Sequence, residues 1–252
     1  MIGHFVHGHG PVRALVLHGW FGDWRVFESM LPALDPERFT FAFMDYRGYG
    51  ASMGLAGPFD LATIANDALR LADHLGWERF SLVGHSMGGK AALKVATLAS
   101  RRVERILGVT PVWAGRTPFD EATLGFFRSA ADDPAVRAAI IHATTGERLP
   151  RVWSESLADR SLASSRKDAF ASYFEAWAME DFAAEVGSLS HEILVVVGAA
   201  DGGVTQEATQ ATWGAMLPGV TIEVFEAVGH YPMLEAPPRL ARVFEAFLDR
   251  QP

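Results

Sequence analysis

Residues 80–94 read FSLVGHSMGGKAALK, and this segment is the strongest indication of the fold in the sequence. It begins as a short apolar strand, turns through Gly-x-Ser-x-Gly around Ser86, and continues in residues that favour a helix. A side chain on so tight a strand-to-helix turn holds a strained backbone, which leaves room only for small residues two places before and after it. Gly84 and Gly88 occupy those places. The stretch therefore predicts a nucleophile at Ser86.

Two phosphate-binding patterns compete for parts of this sequence. Gly84, Gly89 and Lys90 match most of a phosphate-binding loop, but residue 91 is alanine where a Ser or Thr hydroxyl should hold magnesium. A dinucleotide-loop pattern starts at residues 48–50, yet the next glycine, Gly54, comes one residue too late and opens no helix. Neither pattern predicts a nucleotide site.

The composition is that of an ordinary globular protein, with 49% hydrophobic and 21% charged residues in 252. This length allows one large domain or two small ones. The net charge is -8 and no basic cluster follows a phosphate backbone, so nucleic acid is not an expected partner. The chain has no cysteine, which excludes disulfides, thiolate metal sites and cysteine nucleophiles.

The N-terminus predicts neither a leader nor an anchor. Residues 1–5 lack a basic segment followed by an apolar one, and no apolar run approaches the roughly 20 residues of a spanning helix. We therefore expect a cytoplasmic protein without a membrane partner, and the absence of cysteine is compatible with a reducing compartment.

Short apolar runs recur along the chain, and several of them end before a glycine or an aspartate. Continuous runs of this length are typical of strands buried on both faces of a parallel sheet. They lie at residues 14–17, 39–44, 80–83, 106–109, 193–197 and 221–225. Each is predicted to be a central strand.

Helical patterns separate several of these runs. Residues 60–75 repeat apolar positions at helical spacing, with Asp60 as a predicted N-cap and Gly76 as the stop. A second apolar stripe near the C-terminus opens at Pro237, where proline is tolerated in the first turn of a helix. Strands that alternate with helices predict an α/β fold, with a mostly parallel central sheet flanked by helices.

The segment from residue 113 to residue 182 breaks this alternation. It is rich in helix formers and aromatic residues but has no clear buried strand. We predict residues 1–112 and 183–252 as the core, and residues 113–182 as an inserted helical lid, or cap, that covers one edge of the sheet. Ordinary surface helices with a core stripe would give the same pattern.

A serine hydroxyl needs a histidine to take its proton and an acid to fix that histidine. Among nine histidines, His230 follows the last predicted strand in the loop AVGHYP at residues 227–232. His85 belongs to the turn itself, where its side chain should diverge from the hydroxyl. Asp201 follows the apolar run 193–197 in GAADGG at residues 198–203. The order Ser86, Asp201, His230 predicts a catalytic triad.

Two backbone amides are predicted to stabilise a developing oxyanion. The helix after Ser86 points its N-terminal amides toward the site, so the N–H of Met87 is one donor. A Gly-containing loop, His18-Gly19-Trp20, follows an early strand, and its candidate donor is the N–H of Trp20. The indole of Trp20 could also form a wall of the pocket.

Together these motifs resemble the α/β-hydrolase superfamily over nearly the whole chain, and in particular its small lidded carboxylesterases, lactonases and cofactor-free haloperoxidases. The similar segments are HGW (18–20), DYRGYGAS (45–52), GHSMGG (84–89), Asp201, GHYP (229–232) and EAP (235–237). The resemblance implies the α/β-hydrolase fold and an oxyanion hole at Trp20 and Met87. It also implies that Asp45 and Arg47 organise a loop and take no part in the chemistry.

We expect a serine hydrolase that cleaves small to medium apolar carboxylic esters, lactones included, through an acyl-enzyme. The triad requires no metal and no organic cofactor. The predicted substrate-binding residues are aromatic: Trp20, Phe21, Phe126, Trp153 and Trp177. Neither the physiological substrate nor the oligomeric state is predicted.

Other reactions stay open because one fold and one triad serve several. The same residues could cleave a carbon–carbon bond in a vinylogous diketone or form peracids. A ligand receptor that turns over slowly is a third class. Haloalkane dehalogenation is disfavoured, because it would require an acidic nucleophile at residue 86.

Overall fold

One sheet organises the computed structural model, which describes residues 1–249. Its strands are β1 (His4–Gly8), β2 (Val12–Leu17), β3 (Phe39–Met44), β4 (Phe80–His85), β5 (Val103–Val109), β6 (Glu192–Gly198) and β7 (Val220–Phe225). The spatial order is β1-β3-β2-β4-β5-β6-β7. Strands β2 to β7 pair in parallel, and β1 pairs antiparallel with β3 at one side. All six predicted runs are strands of this sheet, but the prediction of a central strand was wrong for the run at 221–225. Strand β7 lies at the edge opposite β1, and most of its residues are half-buried or exposed.

The helices follow the strands in the predicted alternation. They are α1 (Leu61–His74), α2 (Met87–Ala99), α3 (Glu121–Ser129), α4 (Pro134–Thr144), α5 (Arg151–Ser164), α6 (Lys167–Met179), α7 (Ala183–Val186), α8 (Gln206–Thr209), α9 (Pro232–Glu235) and α10 (Pro237–Leu248). Asp60 caps α1 as predicted, since its side chain accepts the N–H of Thr63 at 2.7 Å. Helix α10 begins at Pro237.

The inner strands β2 to β6 are buried on both faces, which explains why each contains a continuous apolar run. Along β2, Leu15 and Leu17 belong to the core on the side of α1 and α2, whereas Ala14 and Val16 belong to the core on the side of α10. This alternation follows from the pleat, which turns successive side chains to opposite faces. None of the helices between residues 1 and 249 is long and apolar enough to cross a membrane.

Helices α3 to α7 all lie in the connection between β5 and β6. Helix α6 of this connection contacts the loops that follow β2 and β3. Phe170 of α6 stacks on Trp20, which follows β2, and Tyr173 of α6 contacts Tyr46, which follows β3. The segment is helical as predicted, and its division from the core as a separate lid stays a prediction.

Candidate active site

Ser86 occupies the turn between β4 and α2 in a left-handed backbone conformation, with φ 54° and ψ -120°. Such a conformation costs energy in a residue other than glycine and persists only where the surroundings enforce it. A Cβ atom at Gly84 would overlap the carbonyl of Gly88, and one at Gly88 would overlap the carbonyl of Leu17. The two glycines therefore let the turn close against β2.

The loop after β2 passes beside Ser86. A Cβ at Gly19 would lie 3.2 Å from the Cβ of Ser86. The carbonyl of Gly19 accepts a hydrogen bond from Nδ1 of His18 at 2.7 Å. Since the C=O and N–H of a trans peptide point in opposite directions, the N–H of Trp20 points away from the His18 ring.

Two buried tyrosines fix the backbone of this loop. The hydroxyl of Tyr46 donates to the carbonyl of His18 at 2.7 Å, and that of Tyr49 donates to the carbonyl of Trp20 at 3.0 Å. Burial raises the pKa of both phenols well above their usual value, so both remain donors. The second predicted donor, Met87, is the first residue of α2, where backbone N–H groups have no partner within the helix.

Asp201 and His230 form a buried hydrogen-bonded pair, with 2.6 Å between Oδ2 of Asp201 and Nδ1 of His230. The other carboxylate oxygen of Asp201 accepts the N–H groups of Gly203 at 2.8 Å and Val204 at 2.9 Å. Both oxygens are therefore held. A carboxylate on Nδ1 keeps the proton there and leaves Nε2 of His230 as the basic nitrogen.

The backbone of His230 is held from both sides. Its carbonyl accepts the hydroxyl of Thr110 at 3.0 Å and Nε2–H of His85 at 2.9 Å, and its N–H donates to the carbonyl of Thr144 at 3.1 Å. Burial lowers the pKa of His85 well below its usual value, and the nearby His230 lowers it further. A neutral His85 thus serves as a hydrogen-bond donor to the loop of His230, a role that was not predicted from the sequence.

One cavity of about 200 Å³ is lined by both Ser86 and His230. Its walls are mainly apolar. Three of the predicted substrate-binding residues line it, namely Trp20, Phe21 and Trp177. Residues that the sequence analysis missed also line it, including Val112, Trp113, Phe119, Phe127, Ile140 and Thr209.

The prediction of substrate-binding residues was wrong for Phe126 and Trp153, because neither lines this cavity. Phe126 is 45% exposed, and its neighbour Phe127 faces the cavity instead. Successive helical residues point about 100° apart, so only one of the two can face inward. Trp153 packs edge-on against Tyr231, with ring centroids 5.7 Å apart. Buried Leu124, three residues before Phe127, was the helical signal that could have identified the inward face.

The side chains of Asp45 and Arg47 form hydrogen bonds that organise the loop after β3, as the resemblance implied. The carboxylate of Asp45 accepts the N–H groups of Trp24 and Ala51, both at 2.8 Å. Arg47 donates to Asp67 through Nε at 2.6 Å and Nη2 at 3.0 Å. These bonds fix the chain around the loop after β3.

Lys90, the lysine of the rejected phosphate loop, is fully buried on α2. Its ammonium donates to the carbonyls of Gly115 and Trp177, each at 2.9 Å, and to that of Glu180. Burial lowers the pKa of Lys90 to about 8. The lysine thus joins the two ends of the helical insertion to the helix that begins beside Ser86.

The family model for the alpha/beta hydrolase fold matches residues 15–237. The chain is 35% identical over 103 residues to a soluble epoxide hydrolase of Corynebacterium sp. (strain C12), which covers 41% of this chain and 36% of that protein. It is 33% identical over 134 residues to a pimeloyl-(acyl-carrier protein) methyl ester esterase of Pectobacterium atrosepticum, with 50% and 49% covered. The chain spans less than two thirds of the length of these curated relatives.

Among solved structures, an esterase from Exiguobacterium antarcticum has a TM-score of 0.88 at 21% identity, over 99% of this chain and 96% of that one. A likeness at this identity concerns the fold. Together with the family match, it confirms the predicted α/β-hydrolase fold.

Proposed function

The chain belongs to the α/β-hydrolase family, and we propose that it is a serine hydrolase that cleaves carboxylic esters, lactones included. The observation that carries the proposal is the 2.6 Å hydrogen bond from His230 to the buried Asp201, together with the cavity that both His230 and Ser86 line. The strained turn at Ser86 and the adjoining Gly19 loop support it.

In the proposed reaction, Nε2 of His230 takes the proton of the Ser86 hydroxyl as its oxygen attacks the ester carbonyl. The negative charge that develops on the carbonyl oxygen is stabilised by the N–H groups of Trp20 and Met87. His230 then gives its proton to the leaving alcohol, and an acyl-enzyme remains on Ser86. Water, activated by His230, releases the acid and restores the serine.

Serine at residue 86 favours carbonyl substrates over epoxides, although one curated relative is named as an epoxide hydrolase. Attack by a serine on the saturated carbon of an epoxide would leave an ether on the enzyme. Water does not hydrolyse an ether near neutral pH. Attack on a carbonyl leaves an ester, which the same triad can hydrolyse. The mainly apolar cavity favours small to medium apolar acyl groups.

The test combines a serine-reactive phosphonate with nitrophenyl esters of increasing acyl length. We expect the phosphonate to label wild type and Ser188→Ala, a variant of an exposed serine, but not Ser86→Ala. Ester turnover should follow the same pattern. Equal labelling of all three proteins, or ester hydrolysis by Ser86→Ala, would refute the assignment.

The alternatives that use the same triad are assayed in parallel. A vinylogous diketone tests carbon–carbon cleavage, and a carboxylic acid with hydrogen peroxide tests peracid formation. Single-turnover labelling without steady-state turnover would instead indicate a slow receptor. A cytoplasmic location is part of the proposal, and the absence of cysteine is compatible with it.

A further inference from the structure

The helical insertion touches the loop that carries the proposed base. Helix α4 ends at Thr144, and we call residues 144–148 the α4 turn. The carbonyl of Thr144 accepts the backbone N–H of His230 at 3.1 Å. We call residues 227–231 the base loop. A backbone hydrogen bond thus joins the insertion to the base itself.

Two glycines show how closely the α4 turn approaches the loops after β6 and β7. A Cβ at Gly229 of the base loop would lie 2.6 Å from Cα of Thr145. A Cβ at Gly146 of the α4 turn would lie 2.5 Å from the carbonyl oxygen of Ala200, the residue before the proposed acid. No side chain fits at either place, so the α4 turn packs directly against the base loop and against residues 199–203, which we call the acid loop.

Arg148 ends the α4 turn and binds the base loop through a buried carboxylate. Its Nη1 donates to Oε2 of Glu235 at 2.9 Å, and its Nη2 donates to the carbonyl of Ala227. Glu235 also accepts the N–H of Gly229 at 2.8 Å and that of Tyr231 at 3.1 Å, the two amides that flank the base. The Glu235 side chain is only 3% exposed, so the guanidinium supplies the charge that a buried carboxylate needs.

The same contacts hold strained backbone. Glu147 in the α4 turn has φ 55°, and Ala227 in the base loop has φ 57°. Left-handed conformations of such residues persist where the surroundings enforce them. Arg148 directly follows Glu147 and donates a hydrogen bond to the carbonyl of Ala227, so it is connected to both strained residues.

Helix α4 also reaches the cavity. Ile140 and Thr144 both line it. One helix therefore contributes to the substrate wall and, at its last residue, holds the amide of His230.

We propose that the α4 turn holds the base loop against the acid loop, and that Arg148 is a positioning residue for His230. The catalytic part of this inference rests on the proposed function, because His230 must be the base for its position to affect turnover. The insertion would then be part of the frame of the triad as well as a cover over the cavity.

The test compares Arg148→Met and Arg148→Lys with Arg128→Met. Methionine keeps much of the side-chain length without the guanidinium, and lysine restores the charge but not both hydrogen bonds. Arg128 pairs with Glu175 on the exposed side of the insertion, at 2.7 Å, and provides the control. Hydrogen exchange at the amides of the base loop is measured by NMR, with amides of β4 as the reference, and kcat and KM are measured on nitrophenyl esters.

In Arg148→Met we expect exchange at the base-loop amides to accelerate by about tenfold or more, with β4 unchanged. We expect kcat to fall on the order of tenfold, with KM within about twofold of wild type, because misplacement of the base affects the chemical step. Arg148→Lys should lie between, and it replaces the methionine variant if that protein does not fold. Arg128→Met should match wild type in both measurements.

Unchanged exchange in the Arg148 variants would overturn the proposal, and so would faster exchange with an unchanged kcat. If wild type neither hydrolyses esters nor reacts with the phosphonate, the proposed function fails. In that case, hydrogen exchange at the base-loop amides of the Arg148 variants still tests whether the α4 turn holds the base loop.

Discussion

The hydroxyl of Tyr49 donates to the carbonyl of Trp20 at 3.0 Å. Trp20 belongs to the loop after β2, which passes beside Ser86. Tyr173 lies against Tyr49, with ring centroids 5.6 Å apart, and is equally buried. Its hydroxyl has no hydrogen-bond partner among residues 1–249. The two phenols form a matched pair in which only Tyr49 donates a hydrogen bond to the loop of Trp20, a proposed oxyanion donor.

Tyr49→Phe should lower the free energy of unfolding by about 1 kcal/mol, since the Trp20 carbonyl loses its donor. It should also lower kcat, because the neighbouring amide is the proposed oxyanion donor. Tyr173→Phe should be neutral or slightly stabilising, because it removes a buried hydroxyl that has no partner. Urea unfolding and ester kinetics measure both effects, and equal behaviour of the two variants would contradict the role of Tyr49.

Asp201→Asn should reduce kcat by about 10⁴-fold while the protein stays folded. The asparagine oxygen can still accept the amides of Gly203 and Val204, which turns the NH₂ group toward His230. An NH₂ donor there favours the wrong histidine tautomer and leaves Nε2 protonated. Asp23→Asn, at a buried aspartate that instead pairs with Arg25, is the control and should keep kcat near wild type. A near-normal rate in Asp201→Asn would assign the acid to another carboxylate.

Lys90 should make stability rise with pH in alkaline solution. Its pKa is about 8 in the folded chain and close to the usual 10.5 when unfolded, so between these values the unfolded chain binds more protons. The Lys90 contribution to the free energy of unfolding is therefore fully present above pH 10.5 and lost as pH falls through 8, with an upper bound of about 3.4 kcal/mol. Lys90→Met removes this rise. Urea unfolding of both proteins at several pH values between these limits isolates it, and parallel curves would contradict the prediction.

Phe127→Ala should change acyl selectivity, whereas Phe126→Ala should not. The two rings are neighbours on α3, but only Phe127 lines the cavity. Removing its ring enlarges the cavity, so kcat/KM should shift toward longer acyl chains. The panel of nitrophenyl esters measures the shift, and an equal change in both variants would place Phe126 in the binding site.

The central strands could be predicted because burial on both faces leaves a continuous apolar run, as in β4, where all six residues are buried. The edge strand β1 carries no such signal, because its residues are half-buried or exposed and two of its five are histidines. The prediction of Ser86, Asp201 and His230 as a triad depended on the position of each residue after a strand, and the structure places them after β4, β6 and β7. The carboxyl ends of parallel strands lie at one edge of the sheet. Residues that follow different strands therefore come together at that edge, independently of how the helices pack.

The cavity wall was harder to predict, because it depends on the direction in which each helix of the insertion faces. The choice of Phe126 instead of Phe127 shows how one position decides the outcome. The roles of Lys90 and Arg148 could not be predicted either, because each side chain binds backbone carbonyls that are distant in sequence. Lys90 binds that of Trp177, and Arg148 binds that of Ala227. Backbone atoms are the same for every residue type, so the sequence does not mark them.

The order of strands in the sheet also divides the proposed triad. Strands β1 to β5 are contiguous and include the strand that leads to Ser86, whereas Asp201 and His230 follow β6 and β7, which lie side by side beyond β5. A parallel strand is joined to its neighbour by a long crossover, so its pairing is non-local and slow to form. A chain in which β6 and β7 have not yet paired therefore holds the proposed nucleophile without the proposed acid and base. Under the proposed function, ester hydrolysis would require both of these strands to be in place.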